Sequence, residues 1–207
     1  MEITKVDLKR DLKHLYNPSA KEPVVVEVPP MNFLMISGTG DPNTVQAYKD
    51  AVETLYAVAY PLKFAVKAQQ GVDYGVMPLE GLWWTPEDKP DYQAQNRDHW
   101  QWTMMMMQPE YVSDDLVRET IAEVKRKKNP PAIERLSFEE YDEGMAVQIM
   151  HIGPFSAEHA TIMRMRQFMD ENGYEKNGKH HEIYLADPRK SAPEKLKTVL
   201  REPLRRK

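Results

Sequence analysis

The chain has 207 residues, no cysteine, and a net charge of −4 from 28 basic and 32 acidic side chains. A chain of that length buries roughly 70% of its unfolded surface without disulfide or metal support, and without thiols it has no disulfides, thiolate metal sites or cysteine nucleophiles. The slightly acidic balance gives no general pull toward nucleic acid, and no window approaches the roughly 20 apolar residues of a membrane helix.

The opening stretch "TKVDLKRDLKHLY" carries Val6, Leu8, Leu12 and Leu15 among charges, which predicts a short amphipathic helix over Thr4 to Tyr16. It has no apolar core segment of the kind a signal peptide needs, so a cytoplasmic protein is expected. "VVVEV" and "NFLMISG" then read as strands on either side of Pro29-Pro30. From Asn43 the spacing of Val45, Tyr48, Val52, Leu55, Tyr56 and Ala59 is helical. Asn43 or Thr44 is the expected cap, and Pro61 the expected kink or restart. "DYGVMPLEGLWWT" reads as a strand, Pro86 to Asp98 as a polar loop, and "HWQWTMMMMQ" as another strand. Ser113 opens a charged helix to Lys128, stopped by Pro130-Pro131. The basic run at its end complements the helix dipole and is expected to be a solvated end, not a binding patch.

After the prolines the order recurs. "IERLSFEEY" and "MAVQIMHIG" are strands, and "FSAEHATIMRMRQFMDENGY" is a helix with Ile162, Met165, Phe168 and Met169 inward. "HHEIYLAD" and "LKTVLREPL" are strands again. The expected fold is therefore α+β, one domain made of duplicated strand–helix–strand–strand modules about a pseudo-two-fold axis with a central cleft. Residues 1–22 form an N-terminal helix and linker, 23–110 the first module, 111–131 a connecting helix and 132–207 the second module. Laid on each other, Gly38 matches Gly153 and Glu80 matches Glu182.

Strand alternation puts His180, Glu182, Tyr184 and Ala186 on one face and His181, Ile183 and Leu185 on the other. Glu80 shares a face with Leu82 and Trp84, and Trp100, Trp102, Met104 and Met106 share one on the next strand. Both glutamates thus stand among aromatic and apolar neighbours. A carboxylate in such a wall attracts an organic cation, because aromatic faces add cation–π attraction and apolar walls bury a planar body. Partial burial also raises its pKa toward that of a general base. The plain alternatives are a salt bridge for Glu182 at a sheet edge, and core packing for the tryptophans, Trp83 and Trp102 above all. His180 and His181 point to opposite faces and cannot chelate one metal together. "GTGDPN" lacks the lysine of a phosphate loop. Neither a cofactor nor a metal is expected, and any catalysis would be acid–base chemistry on water.

The stretches "VQIMHIGPF", "HHEIYLADPRKSAPEKLKTVLREPL" and "VMPLEGLWW" resemble the GyrI-like small-molecule-binding family, from about Pro23 onward. In regulators that resemblance implies a domain whose strand glutamate, matched by Glu182, meets cationic aromatic drugs. In a stand-alone branch, which "PLEGLWW" resembles, it implies hydrolysis of cyclopropanoid DNA-alkylating toxins for cellular protection. On that reading Glu182 activates water, Tyr184 or Tyr111 stabilises the developing oxyanion, and Trp84, Trp100, Trp102 and Met106 hold the flat ligand. Glu80, Met104 and His180 complete the expected lining. The other readings are a non-catalytic sequestering or sensing protein and a gyrase-interacting inhibitor. The expected partners are hydrophobic aromatic small molecules, without nucleic acid or membrane, and the expected state is a monomer or weak homodimer.

Overall fold

The computed structural model describes residues 3–85 and 97–207. The polar loop expected from Pro86 to Asp98 lies, over residues 86–96, outside the described residues. The chain opens with β1 (Thr4–Val6), α1 (Leu8–Asp11) and α2 (Lys13–Tyr16). The single N-terminal helix expected there is thus a strand and two short turns. Val6 is drawn into parallel pairing of β1 with β4 (Val72–Tyr74), which local helical spacing cannot anticipate.

Next come β2 (Val24–Val28), β3 (Met31–Thr39), the long α3 (Gln46–Gln70), then β5 (Leu79–Trp84) and β6 (Gln101–Gln108). Helix α3 does not use Asn43 or Thr44 as its cap. Its N-cap is Val45, without a side-chain bond, because Asp41 folds the preceding turn by accepting the Asn43 and Val45 amides. Pro61 lies inside the helix, which runs on through it to a left-handed Gly71. Losing one backbone bond at proline costs about 3 kcal/mol. Burial of Leu55, Val58, Ala59, Leu62 and Val66 on either side offsets that cost.

Helix α4 (Asp114–Lys127) starts where expected, with Ser113 accepting the Leu116 amide. The second half supplies β7 (Ser137–Tyr141), β8 (Gly144–Ile152), α5 (Glu158–Glu171), β9 (Tyr174–Lys176), β10 (His180–Tyr184) and β11 (Lys197–Arg206). The described residues form one nine-stranded sheet in the order β2-β8-β11-β10-β5-β6-β3-β7, with β9 paired to β11. The fold class is α+β and duplicated, as the recurring element order implies. Strands β3 and β8 each end at a glycine with positive φ, Gly40 at 104° and Gly153 at 143°. Gly40, not Gly38, is therefore the counterpart of Gly153. Gly38 serves a different purpose, because a Cβ there would come within 2.3 Å of the Trp102 ring.

The halves exchange their outer strands. Strand β2 pairs with β8, and β7 with β3, so neither completes a hairpin with its neighbour in sequence. Pairing β10 with β5 joins the halves in the middle. Helices α3 and α5 cover one face of the sheet. Helix α3 packs on Leu34, Ile36, Trp102, Met104 and Met106, and α5 on Val147, Ile149 and Leu200. The other face closes over Phe33, Leu82, Met105, Met107, Ile183 and Val199, with Leu15 and Tyr16 of α2. Among the described residues no helix is long and apolar enough to cross a membrane.

Candidate functional site

Residues directly opposed across two strands share a face. Glu182 is opposed by Gly81, not Glu80, and Ile183 by Glu80. The two glutamates therefore point to opposite faces of the sheet and are not counterparts. Alternation holds within each strand. The relative register of β5 and β10, set by backbone pairing, decides which faces coincide.

Glu182 lies on the helix-covered face, at the seam between the apolar cluster under α3 and the one under α5. Its side chain is 12% exposed. Tyr184 Oη donates to Glu182 Oε2 at 2.8 Å and accepts the Trp83 indole N–H at 3.0 Å. His180 Nε2 stands 3.3 Å from Glu182 Oε1, and His180 Nδ1 stands 3.3 Å from Glu202 Oε1. Arg166 in turn clasps Glu202 with its guanidinium at 2.7 Å. Burial opposes a charge on His180, but the flanking carboxylates outweigh it and raise its pKa. Burial would likewise raise Glu202, yet His180 and Arg166 hold it at about 2. The result is a chain of charge-assisted contacts, Arg166–Glu202–His180–Glu182, that fixes the Glu182 carboxylate from below.

Aromatic rings surround that carboxylate. Tyr48 of α3 packs against Trp83 at 6.1 Å and Trp102 at 5.4 Å between centroids, and Trp83 meets Trp100 at 5.8 Å. Phe155, which is exposed, meets Tyr184 edge-on at 5.7 Å. Burial, with the Glu182 charge next, raises both phenols, Tyr184 and Tyr48, so each holds its proton. Glu158, the first residue of α5, is only 6% exposed, and burial together with the Glu182 charge pushes its carboxyl up to about 9.

The structure brings Glu182, Tyr184, His180 and Trp100 to this seam and leaves other expected residues elsewhere. Trp102, Met104 and Met106 share the face but are fully buried core, Trp102 beneath Gly38. Trp84 is on the opposite face, where Lys179 Nζ sits 3.8 Å over its ring. Tyr111 lies three residues past the end of β6, packed edge-on against Tyr74, and its carbonyl accepts from Gln70. Glu80 is fully buried among polar partners, accepting from Tyr16 Oη at 2.8 Å and His181 Nε2 at 2.9 Å. His181 Nδ1 meets Glu143 at 2.9 Å, and Arg201 bonds Glu143, Gln148 and the Leu15 carbonyl. Burial opposes the His181 charge, but Glu143 and Glu80 raise it to about 9. Glu80 is thus fully partnered inside a buried polar network that anchors α2.

Sequence reasoning missed Trp83, Tyr48 and Glu158. Trp83 was visible as an aromatic of the right parity once the register is known. Tyr48 reads as an inward helix residue, and Glu158 as an ordinary acid in a first helical turn. Nothing in their spacing marks them. Among the described residues no group of three or more His, Asp or Glu side chains is arranged to hold a metal.

A model of the GyrI-like small molecule binding domain matches residues 21–205. No curated protein matches the chain. Among solved structures, an uncharacterized conserved protein from Listeria innocua is 39% identical, with 97% of this chain and 100% of that one covered at a TM-score of 0.88. A hydrolase from the same organism is 41% identical, with 98% and 100% covered at a TM-score of 0.85. The C-terminal domain of EcmrR covers 90% of this chain and 98% of its own at a TM-score of 0.54, but at 11% identity it shares the fold alone.

Proposed function

The chain belongs to the GyrI-like small-molecule-binding family, and from that premise we propose that it hydrolyses cyclopropanoid DNA alkylators by adding water across the strained ring. The observation that carries this reading is the Glu182 carboxylate, largely buried in an aromatic surround and held by Tyr184 and His180. Near-complete identity of length and about 40% sequence identity to a Listeria innocua hydrolase support a reaction over simple capture. In the reaction the water oxygen bonds to the ring methylene while Glu182 accepts a water proton. The ring C–C bond breaks, and its electron pair flows through the conjugated system to the carbonyl oxygen. Protonation there leaves a ring-opened phenol and alcohol. Trp83, Tyr48, Trp100 and Phe155 supply the apolar walls for the flat body, and fixing the water beside the ring supplies the proximity term.

A second reading keeps the pocket and drops the turnover. The same carboxylate among aromatics suits a hydrophobic monocation, bound and sequestered. One experiment separates the two. A chromatographic time course of a cyclopropanoid alkylator is run with the wild type and with Glu182→Gln. Many turnovers by the wild type, falling by about two to four orders of magnitude in the variant, support the hydrolase. Stoichiometric retention of unaltered ligand by the wild type supports sequestration and overturns it.

A further inference from the structure

The reaction needs a proton at the carbonyl oxygen, and the residue expected to stabilise it does not have one free. Tyr184 has a single O–H, and it is donated to Glu182 while its oxygen accepts from Trp83. Tyr111 packs against Tyr74, beyond the end of β6. Resting on the function proposed above, we propose that Glu158 is the acid of this site, the partner of Glu182 that delivers a proton to the oxygen left negative by ring opening.

The geometry comes from the start of α5. Residues 155–157 form a short 3-10 turn that leads into Glu158. Phe155 in that turn packs on Tyr184, so the first turn of α5 sits over the Tyr184–Thr198 pair of β10 and β11. Glu158 is more than nine-tenths buried there, and its Oε1 has no hydrogen-bond partner among the described residues. The neighbouring Thr198 hydroxyl is buried beside the same carboxyl, and its hydrogen bond favours the ionised form without offsetting burial. A buried carboxyl with an empty oxygen is costly unless something else meets it, and far costlier if ionised. The ring-opened oxygen, held against that carboxyl, would be the missing partner.

The protonation state follows from what faces the group. Glu182 and Tyr184 of β10 and Thr198 of β11 act on it directly, His180, Glu202 and His151 share that face of the sheet, and Tyr48 of α3 lies near Glu182 and Tyr184. His151 is held by the Thr161 hydroxyl and the Pro154 carbonyl, and burial lowers its pKa. His180 and Arg166 are already bound to carboxylates. The N-terminal end of α5 favours a carboxylate, but burial and the Glu182 charge win and raise Glu158 to about 9. Glu158 is therefore a neutral acid beside the Glu182 carboxylate, its proton held by burial and by that neighbouring charge.

The cycle balances on these two groups. Glu182 takes a proton from water as the C–O bond forms and the ring C–C bond breaks. Glu158 gives its proton to the carbonyl oxygen. Glu182 then returns a proton to Glu158, and the net change is the addition of one water.

The test combines a pH–rate profile with a direct reading of the carboxyl, using wild type, Glu158→Gln and Tyr48→Phe. Ligand binding is followed in parallel by tryptophan quenching. The proposal expects turnover by the wild type to fall as pH rises through about 9. Glu158→Gln should bind within a few-fold of wild type, lose about 10²-fold in kcat, and lose that alkaline limb. Carbon-13 NMR of labelled glutamates should find the signal that Glu158→Gln removes protonated at neutral pH. A Glu158 carboxyl already ionised at neutral pH overturns the proposal, whatever the activity. So does an alkaline limb that survives in Glu158→Gln or disappears in Tyr48→Phe. Loss of turnover in Glu182→Gln with an unaffected Glu158→Gln overturns this inference alone. No turnover by the wild type overturns it together with the hydrolase reading.

Discussion

Opposite Glu182 on the neighbouring strand stands a residue with no side chain. Gly81 makes room for Trp83 and Tyr184 beside the carboxylate, since an added Cβ would come within 2.8 Å of Trp83 Nε1 and 3.2 Å of Tyr184 Oη. Those are the two atoms whose hydrogen bond orients Tyr184 toward Glu182. Gly81→Ala should therefore displace the Trp83–Tyr184 pair. The expected outcome is a loss of turnover of about 10-fold or more, the scale of a misplaced catalytic group. The stability cost should stay within the about 1–3 kcal/mol of local overpacking. Steady-state kinetics and thermal denaturation on the same sample check both, and full activity would remove Gly81 from the site. At this scale the sequence marked Glu182 and Tyr184 through strand alternation and the family resemblance. It could not expose the fate of Glu80. Alternation assigns Glu80 relative to Trp84 only, and which face of β5 meets which face of β10 depends on a register set between strands.

Strand β5 carries two adjacent tryptophans to two different environments. Trp83 faces Tyr48, Trp100 and Tyr184, while Trp84 faces the other way and stacks under Lys179. Substituting each with alanine should split the phenotypes. Trp84→Ala should lower the melting temperature and leave ligand affinity within about two-fold. Its cost lies at or below the lower end of the about 3–5 kcal/mol for a buried tryptophan, since its ring is half-buried. Trp83→Ala should weaken ligand binding and release Tyr184 from its donor, so that turnover falls more than affinity. Fluorescence titration of both variants decides it, and a larger affinity loss in Trp84→Ala would reverse the assignment of faces. Helix α3 shows the same dependence on packing. Its pattern of apolar residues was plain in the sequence, whereas its start at Val45 and its passage through Pro61 follow from the turn at Asp41 and from burial against the sheet.

The halves hold each other by exchanged strands and by charges buried on the face away from the site. Strands β2 and β7 each complete the other half's edge, so neither half has a full sheet alone. The Glu80–His181–Glu143–Arg201 network crosses the midline and ties in α2 through Tyr16 and the Leu15 carbonyl. Its pH response follows from the shifts. His181 is raised from 6.5 to about 9, so its stabilising charge is fully present below pH 6.5 and is lost as pH rises toward 9. Glu143 is held at about 2 against burial by His181 and Arg201, and Glu202 by His180 and Arg166. Their contributions are present above pH 4.5 and are lost as pH falls toward 2. Glu158, raised by burial, instead costs stability progressively from pH 4.5 to 9. Thermal melting should thus peak on the acid side of neutrality and fall toward pH 9, and Glu158→Gln should soften only part of that fall. Removing one partner of such a buried pair costs about 3–5 kcal/mol, so His181→Ala should destabilise strongly. A melting curve flat from pH 6.5 to 9 would contradict a charged His181.

The order of the main strands and helices from β2 onward, short β4 and β9 excepted, the α+β class, the duplication and the inward faces of α3 and α5 were determined by the sequence, because hydrophobic periodicity and proline or glycine breaks act within a few residues. The parity of each strand was determined in the same way, and with it the pairing of Glu182 with Tyr184 on one face of β10. The separation of Glu80 from Glu182, the exchange of β2 and β7, and the arrival of Tyr48 and Glu158 beside one carboxylate were decided by the tertiary structure alone. Each depends on backbone pairing and helix docking between segments far apart in the chain, and on burial, which assigns a side chain its charge only after the rest of the molecule has closed around it.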